Sequence, residues 1–223
     1  MSEWWTYSLS DFLLFSPRTY YRLFELYNLA LWPFHILALA LGAAILGLSR
    51  TGRLSHRRIA AAILAGLWLW VGWAYFLERY QTINWAAGYV AVAFCIEALL
   101  LLWRGGLYGL STSLRSHSGP AGLFIFMFAL CAYPLVAPLL GRPWTQAEVF
   151  GLAPDPTAMA TLGILMASSV WRWELLVIPG LWCLASAVTL WAMGSPDAVL
   201  PAIAAAAALL SAIARRLPVS RGV

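Results

Sequence analysis

Seven apolar runs, most of them near the ~20 residues that a helix needs to cross a bilayer, constrain this chain more than any motif in it. They extend from Tyr27 to Leu48, Ile59 to Leu77, Trp85 to Trp103, Gly119 to Leu140, Pro156 to Val170, Leu175 to Ala192 and Ala198 to Ala214. In hydrocarbon a backbone has only its own partners, so such runs fold as helices. The predicted fold class is therefore all-α, a polytopic transmembrane helix bundle of seven spans. The fifth run is short and meets the sixth at "WRWE", residues 171 to 174, which predicts a tight hairpin. A count of six, with one of that pair re-entrant, is the alternative.

Composition agrees. Of 223 residues 62% are hydrophobic and 10% charged, with mean hydropathy +0.78, too little polar surface to enclose a soluble core of this size. The 13 tryptophans suit helix ends at lipid headgroups.

Arginine placement sets the expected orientation, because loops retained in the cytoplasm carry the basic excess. With the amino terminus outside, the inner segments hold Arg50, Arg53, Arg57, Arg58, Arg104, Arg115, Arg172, Arg215, Arg216 and Arg221, ten of the 14 basic residues. The outer segments hold Arg18, Arg22, Arg79 and Arg142, with Glu3, Asp11, Glu25, Glu78, Glu148, Asp155 and Asp197, seven of the nine acids. The chain divides into an interfacial segment over residues 1–26, one transmembrane helical domain over 27–214 and a short basic cytoplasmic tail over 215–223. "MSEWWTYSLS" lacks the basic start of a signal peptide. The amphipathic "SLSDFLLFSPRTYYRLFELYN" reads as a short helix on the outer leaflet or as a cap packed over the bundle. The expected location is the bacterial cytoplasmic (inner) membrane.

Several chemistries are excluded or disfavoured. Every basic residue is arginine, so no lysine can form a Schiff base with retinal or pyridoxal phosphate. His56 and His117 fall in predicted inner loops, leaving His35 without a second buried imidazole for haem. Cys95, Cys131 and Cys183 occupy separate apolar runs without CxxC spacing and read as packing residues. "RGGLYGL" is a flexible loop and not a P-loop, and no Ser/His or paired-acid constellation marks a hydrolase. Scattered arginines do not make a nucleic-acid surface. No cofactor, metal or catalytic residue is nominated; the expected partner is membrane lipid, together with a membrane protein partner or a further copy of the chain.

Six residues stand out as a ligand or ion pathway. Asn28 and His35 lie seven residues apart, on one face of a helix, with Pro33 between them and His35 about 10 Å deeper. Glu97 falls inside the third span, where a carboxyl group is costly unless protonated, hydrated or paired, and Arg104 is on the same face two turns on. Tyr133 adjoins Pro134, and with Pro138 the fourth span should bend or break there. Thr157, Thr161 and Ser168 form a stripe along the fifth span. Asp155 precedes Pro156, which predicts a capping carboxylate that accepts from the amides of Thr157 and Ala158. Ser195 and Asp197 begin a second proline-marked helix in the same manner, and the alanine-rich "AIAAAAALLSAIA" permits close helix packing.

The order "LFELYNLALWPFH", "INWAAGYVAVAF", "YPL" and "FGLAPDPTAMATLGILM" resembles an uncharacterised bacterial multi-pass membrane protein family, a domain of unknown function, over nearly the whole chain. The resemblance implies the order of spans and no activity. Two functions remain: a small-solute or ion permease-like protein with a polar cavity in the outer half of the bundle, or a non-catalytic membrane subunit or scaffold of a larger complex.

Overall fold

The computed structural model describes residues 15–114, 118–168 and 172–216, and every regular element among them is helical. Glu3, Asp11, Arg115, His117, Trp171 and Arg221, which entered the expectations above, lie outside the described residues.

Helix α1 (Pro17–Leu31) starts where the Ser16 hydroxyl accepts the amide of Thr19 at 3.2 Å and Pro17 fills the first position, which needs no donor. Tyr20, Leu23, Phe24, Tyr27 and Asn28 form its buried face. Trp32 is held extended before Pro33, as the proline ring requires, and the helix ends. Helix α2 (Phe34–Arg50) leaves at 90° to α1. The run from Tyr27 to Leu48 is therefore two helices meeting at a corner and not one continuous span.

Helix α3 (Leu54–Trp70) runs on through a π-helical stretch, Val71–Leu77, to a 3-10 turn at Tyr80–Thr82. Helix α4 (Ala87–Tyr108) follows, then α5 (Gly119–Met127), which widens to a π-helix at Phe128–Ala132 and tightens to a 3-10 turn at Tyr133–Leu135 before the single turn α6 (Val136–Leu139). Pro134 and Pro138 remove two amide donors there, and the regular ladder gives way on their amino-terminal side, as expected. Helices α7 (Pro154–Met166), α8 (Val177–Ala192) and α9 (Val199–Arg216) complete the fold.

Five stretches are long and apolar enough to cross a membrane: Leu54–Thr82, Ala87–Tyr108, Gly119–Leu139, Trp173–Ala192 and Pro196–Arg215. The α1–α2 pair, taken as one broken span, makes six. Helix α7 is not among them. Its 13 residues reach only about 20 Å, and all 13 are buried. Helices α5, α8 and α9 enclose it, with α3 in lesser contact.

That enclosure rests on a reciprocal glycine contact. A Cβ built on Gly163 would lie 2.6 Å from the carbonyl oxygen of Gly122, and one on Gly122 would lie 2.5 Å from that of Gly163. Only a missing side chain on both helices lets the α5 and α7 backbones touch.

Interhelical contacts collect the connections at two ends of the bundle. At one, the Leu110 amide donates to the Arg57 carbonyl (3.0 Å), Thr112 to Ser49 (3.1 Å) and Ser113 to Ala167 (2.9 Å). At the other, Asn28 binds the carbonyls of Thr145 and Ala147, Tyr21 binds Ser195, and Tyr20 packs on Tyr80. The first end carries Arg50, Arg53, Arg57, Arg58, Arg104 and Arg172 with the acid Glu174, the second Glu25, Glu78, Glu148, Asp155 and Asp197 with Arg18, Arg22, Arg79 and Arg142, so each has an excess of one sign. We call them the arginine end and the acidic end.

Candidate functional site

The most connected polar group of the acidic end is Asp155, fully buried in the first turn of α7. Two prolines flank it because a helix that begins in the interior leaves amides without partners, and Pro154 and Pro156 delete two of them. The carboxylate takes three donors from other elements. Trp182 Nε1 reaches Oδ1 at 2.8 Å, while the Ser186 hydroxyl at 2.6 Å and the Tyr133 hydroxyl at 3.3 Å reach Oδ2. The expected cap is thus corrected: Ala153 occupies the capping position, and Asp155 ties α7 to α8 and to the broken end of α5. Tertiary donors outcompete local amides because they satisfy more of the carboxylate's lone pairs in a site closed to water.

Around Asp155 stand aromatic rings. Trp182 meets Phe76 and Phe94 edge-on at centroid distances of 5.0 and 5.6 Å, and Tyr75 stacks on Phe24 at 5.1 Å and on Tyr80 at 5.7 Å. Arg142 binds Asp197 and lies over the Tyr21 ring at 4.1 Å, and the Tyr21 hydroxyl pairs with Ser195 at 2.6 Å. Ser195 therefore serves Tyr21 and not the turn it precedes, where it makes no side-chain cap. Glu148 is buried beside this group with Oε2 unpartnered. Burial first, then the nearby Asp155 and Asp197 carboxylates, push Glu148 well above the usual carboxylate range, an effect that Arg142 partly offsets.

The other nominated residues lie elsewhere. Because the helix turns a corner between them, Asn28 and His35 touch directly at 3.1 Å instead of standing a helix length apart. Both amide hydrogens of Asn28 go to the carbonyls of Thr145 and Ala147, at 2.8 and 2.7 Å. Its oxygen is left to accept, so His35 Nε2 is the donor. Thr157 is buried and works locally: its hydroxyl donates to the Ala153 carbonyl at 2.6 Å and accepts the Gly151 amide at 2.8 Å. Thr161 accepts Trp68 Nε1 from α3 at 2.9 Å, so only part of the predicted stripe spans a helix interface. Ser168 lies beyond the end of α7.

Glu97 stands alone. It is wholly buried in the middle of α4, and neither carboxyl oxygen has a hydrogen-bond partner. Arg104 does not reach back to it but pairs with Glu174 at 2.6 Å.

Sequence reasoning missed Trp182, Ser186 and Arg215. Arg215, counted only as a tail charge, donates to the carbonyls of Met166 (2.6 Å) and Ser168 (2.9 Å), at the carbonyl end of α7. Trp182 and Ser186 are four residues apart in α8, the spacing of one helix face, which was the available signal.

A cavity of about 640 Å³ opens at the acidic end between α1 and the turn after α3. Two apolar grooves, of about 370 Å³ between α2 and α3 and about 440 Å³ between α8 and α9, lie on the flanks. None of the three is lined by Asn28, His35, Glu97, Tyr133, Asp155 or Thr157. Tyr133 and Asp155 meet, Asn28 and His35 meet, and Thr157 and Glu97 join neither pair. Among the described residues no group of three or more His, Cys, Asp or Glu could hold a metal ion.

Neither a curated protein nor a solved structure matches the sequence. A family model does, over residues 18–222. With that match across the corner helices, the buried α7 and the carboxyl-terminal pair, the chain belongs to a family of unknown function, DUF6064.

Proposed function

We propose that the chain is a multi-pass protein of the bacterial cytoplasmic membrane that serves as a non-catalytic subunit or scaffold of a membrane complex. Residues 27–214 form its single helical domain. Helices α2, α3, α4, α5, α8 and α9 cross, α7 runs from one end to the other inside them as the seventh, α1 lies on the outer leaflet, and the carboxyl-terminal end of α9 lies on the cytoplasmic side. The gathering of arginines at one end and acids at the other supports this orientation. Reporter fusions after Gly141 and after Arg216 test it, the first being active outside and the second inside.

One observation carries the scaffold reading: the polar side chains of α7 are tied to its neighbours, Asp155 to Tyr133, Trp182 and Ser186, and Thr161 to Trp68. Such contacts fix helix positions. Extraction in mild detergent should recover the chain with a stoichiometric membrane partner or as a homo-oligomer. Recovery as a lone monomer at native expression levels would overturn the reading.

Glu97 favours a second reading, a proton- or ion-linked permease, since a buried carboxyl group with neither donor nor counter-charge is the kind of group that exchanges a proton or takes up a cation. Proteoliposomes under an imposed pH gradient should then show a flux that Glu97→Gln abolishes while thermal stability is retained. Equal flux in the variant would remove Glu97 from any such role.

A further inference from the structure

The cavity beside α1 belongs to none of the contacts above. It opens at the acidic end, holds about 640 Å³, and is lined by Arg18 and Arg22, one helical turn apart on α1, and by Arg79 from the turn after α3. Its charges are unevenly satisfied. Arg22 is paired with Glu25, and Glu25 also accepts from Gln146 at 3.3 Å. Among the described residues, Arg18 and Arg79 have no acid within ion-pair distance. Two guanidinium groups from separate elements, unpaired with any acid among the described residues, thus line a water-accessible hollow that Glu25 and Glu78 also line, and Leu23, Leu26 and Ile83 add apolar wall.

That combination matches one ligand chemistry. A guanidinium fork matches the paired oxygens of a phosphate, and two forks converging from different elements hold a phosphate group better than a single point charge does. The apolar wall suits a ligand with apolar mass attached. Trp32, Trp73, Trp85 and Tyr89, at the same end of α1, α3 and α4, are all more than half exposed, the pattern of a belt at headgroup level. We infer that the cavity formed by Arg18, Arg22 and Arg79 is a binding site for a phosphate group, supplied by an anionic phospholipid headgroup or by a soluble phosphoester. The lipid source rests on the membrane reading above; the phosphate chemistry does not.

The test uses the purified full chain in detergent, titrated with short-chain phosphatidylglycerol and, separately, with inorganic phosphate and glycerol phosphate. Occupancy is read by native mass spectrometry. The double variant Arg18→Gln/Arg79→Gln is compared with Arg53→Gln/Arg58→Gln, which removes the same charge from exposed positions at the other end. Wild type and the second variant should bind alike, and the first should bind about tenfold more weakly or worse, equivalent to about 1.4 kcal/mol. Retention of the lipid alone identifies the headgroup as the source, while saturation by glycerol phosphate identifies a soluble ligand. Binding of neither probe, or equal binding by both double variants, overturns the site. An unchanged thermal midpoint in the first variant excludes unfolding as the cause of its loss.

Discussion

The two ends of the bundle are held together by opposite chemistry. At the arginine end, cations find main-chain oxygens: Arg215 takes the carbonyls of Met166 and Ser168, Arg172 that of Gly109, and Arg57 that of Thr51. At the acidic end, carboxylates collect side-chain donors: Asp155 takes Trp182, Ser186 and Tyr133, and Asp197 takes Arg142. Helix α7 runs between them with its amide end beside Asp155 and its carbonyl end beside Arg215. Each charge therefore lies at the pole of the helix dipole that favours it. The charge asymmetry between the two ends thus complements the dipole of the buried helix.

The largest effect should come from breaking the contact that lets α7 lie between the ends at all. Gly163→Ala drives a methyl group into the backbone of α5 and should cost about 3 kcal/mol or more in unfolding experiments in detergent. A wild-type midpoint would show that the helices separate freely and that neither end needs the other. Next, Asp155→Ala leaves buried donors on Trp182 and Ser186 and should cost about 2–3 kcal/mol. Arg215→Met should cost less, about 1–2 kcal/mol, because Ser118 still donates to the Met166 carbonyl at 2.8 Å. The reverse order would place the stronger clamp at the arginine end.

A smaller effect separates the ends by pH. The folded state raises the affinity of Glu148 for its proton, so the stability it contributes is present below the usual carboxylate range and is lost as pH rises through its raised folded value. The unfolding midpoint should decline from pH 5 to pH 9 in wild type and decline less in Glu148→Gln. An identical slope would remove Glu148 as the acidic end's titrating group. Smallest of all, Arg104→Gln breaks a partly exposed pair with Glu174 and should change stability by about 0.5 kcal/mol or less.

Hydropathy and charge are one-dimensional properties, so the helices and the division of arginines from acids could be read along the chain. Pro134 and Pro138 likewise announced a break in regular helix. What could not be read was which groups meet. The capping rule for Asp155 is local, and it lost to donors 27 and 31 residues away on α8. The spacing of Asn28 and His35 assumed a straight helix, and the corner at Pro33 replaced about 10 Å of separation with contact. Arg215 was legible as a charge but not as the partner of a helix end two elements earlier.

The shortness of α7 bears on how the protein is made. At about 20 Å against about 30 Å of hydrocarbon, it is poorly held by lipid alone. During synthesis it follows α5 but precedes α8 and α9, which supply two of its walls, the Trp182 and Ser186 donors and Arg215. Until α8 and α9 emerge, α7 is held by α5 and α3, through the Gly122 contact and the Trp68–Thr161 hydrogen bond. Final seating of α7 should therefore wait for α8 and α9, and an assembly factor or partner would have its natural moment of entry in that interval.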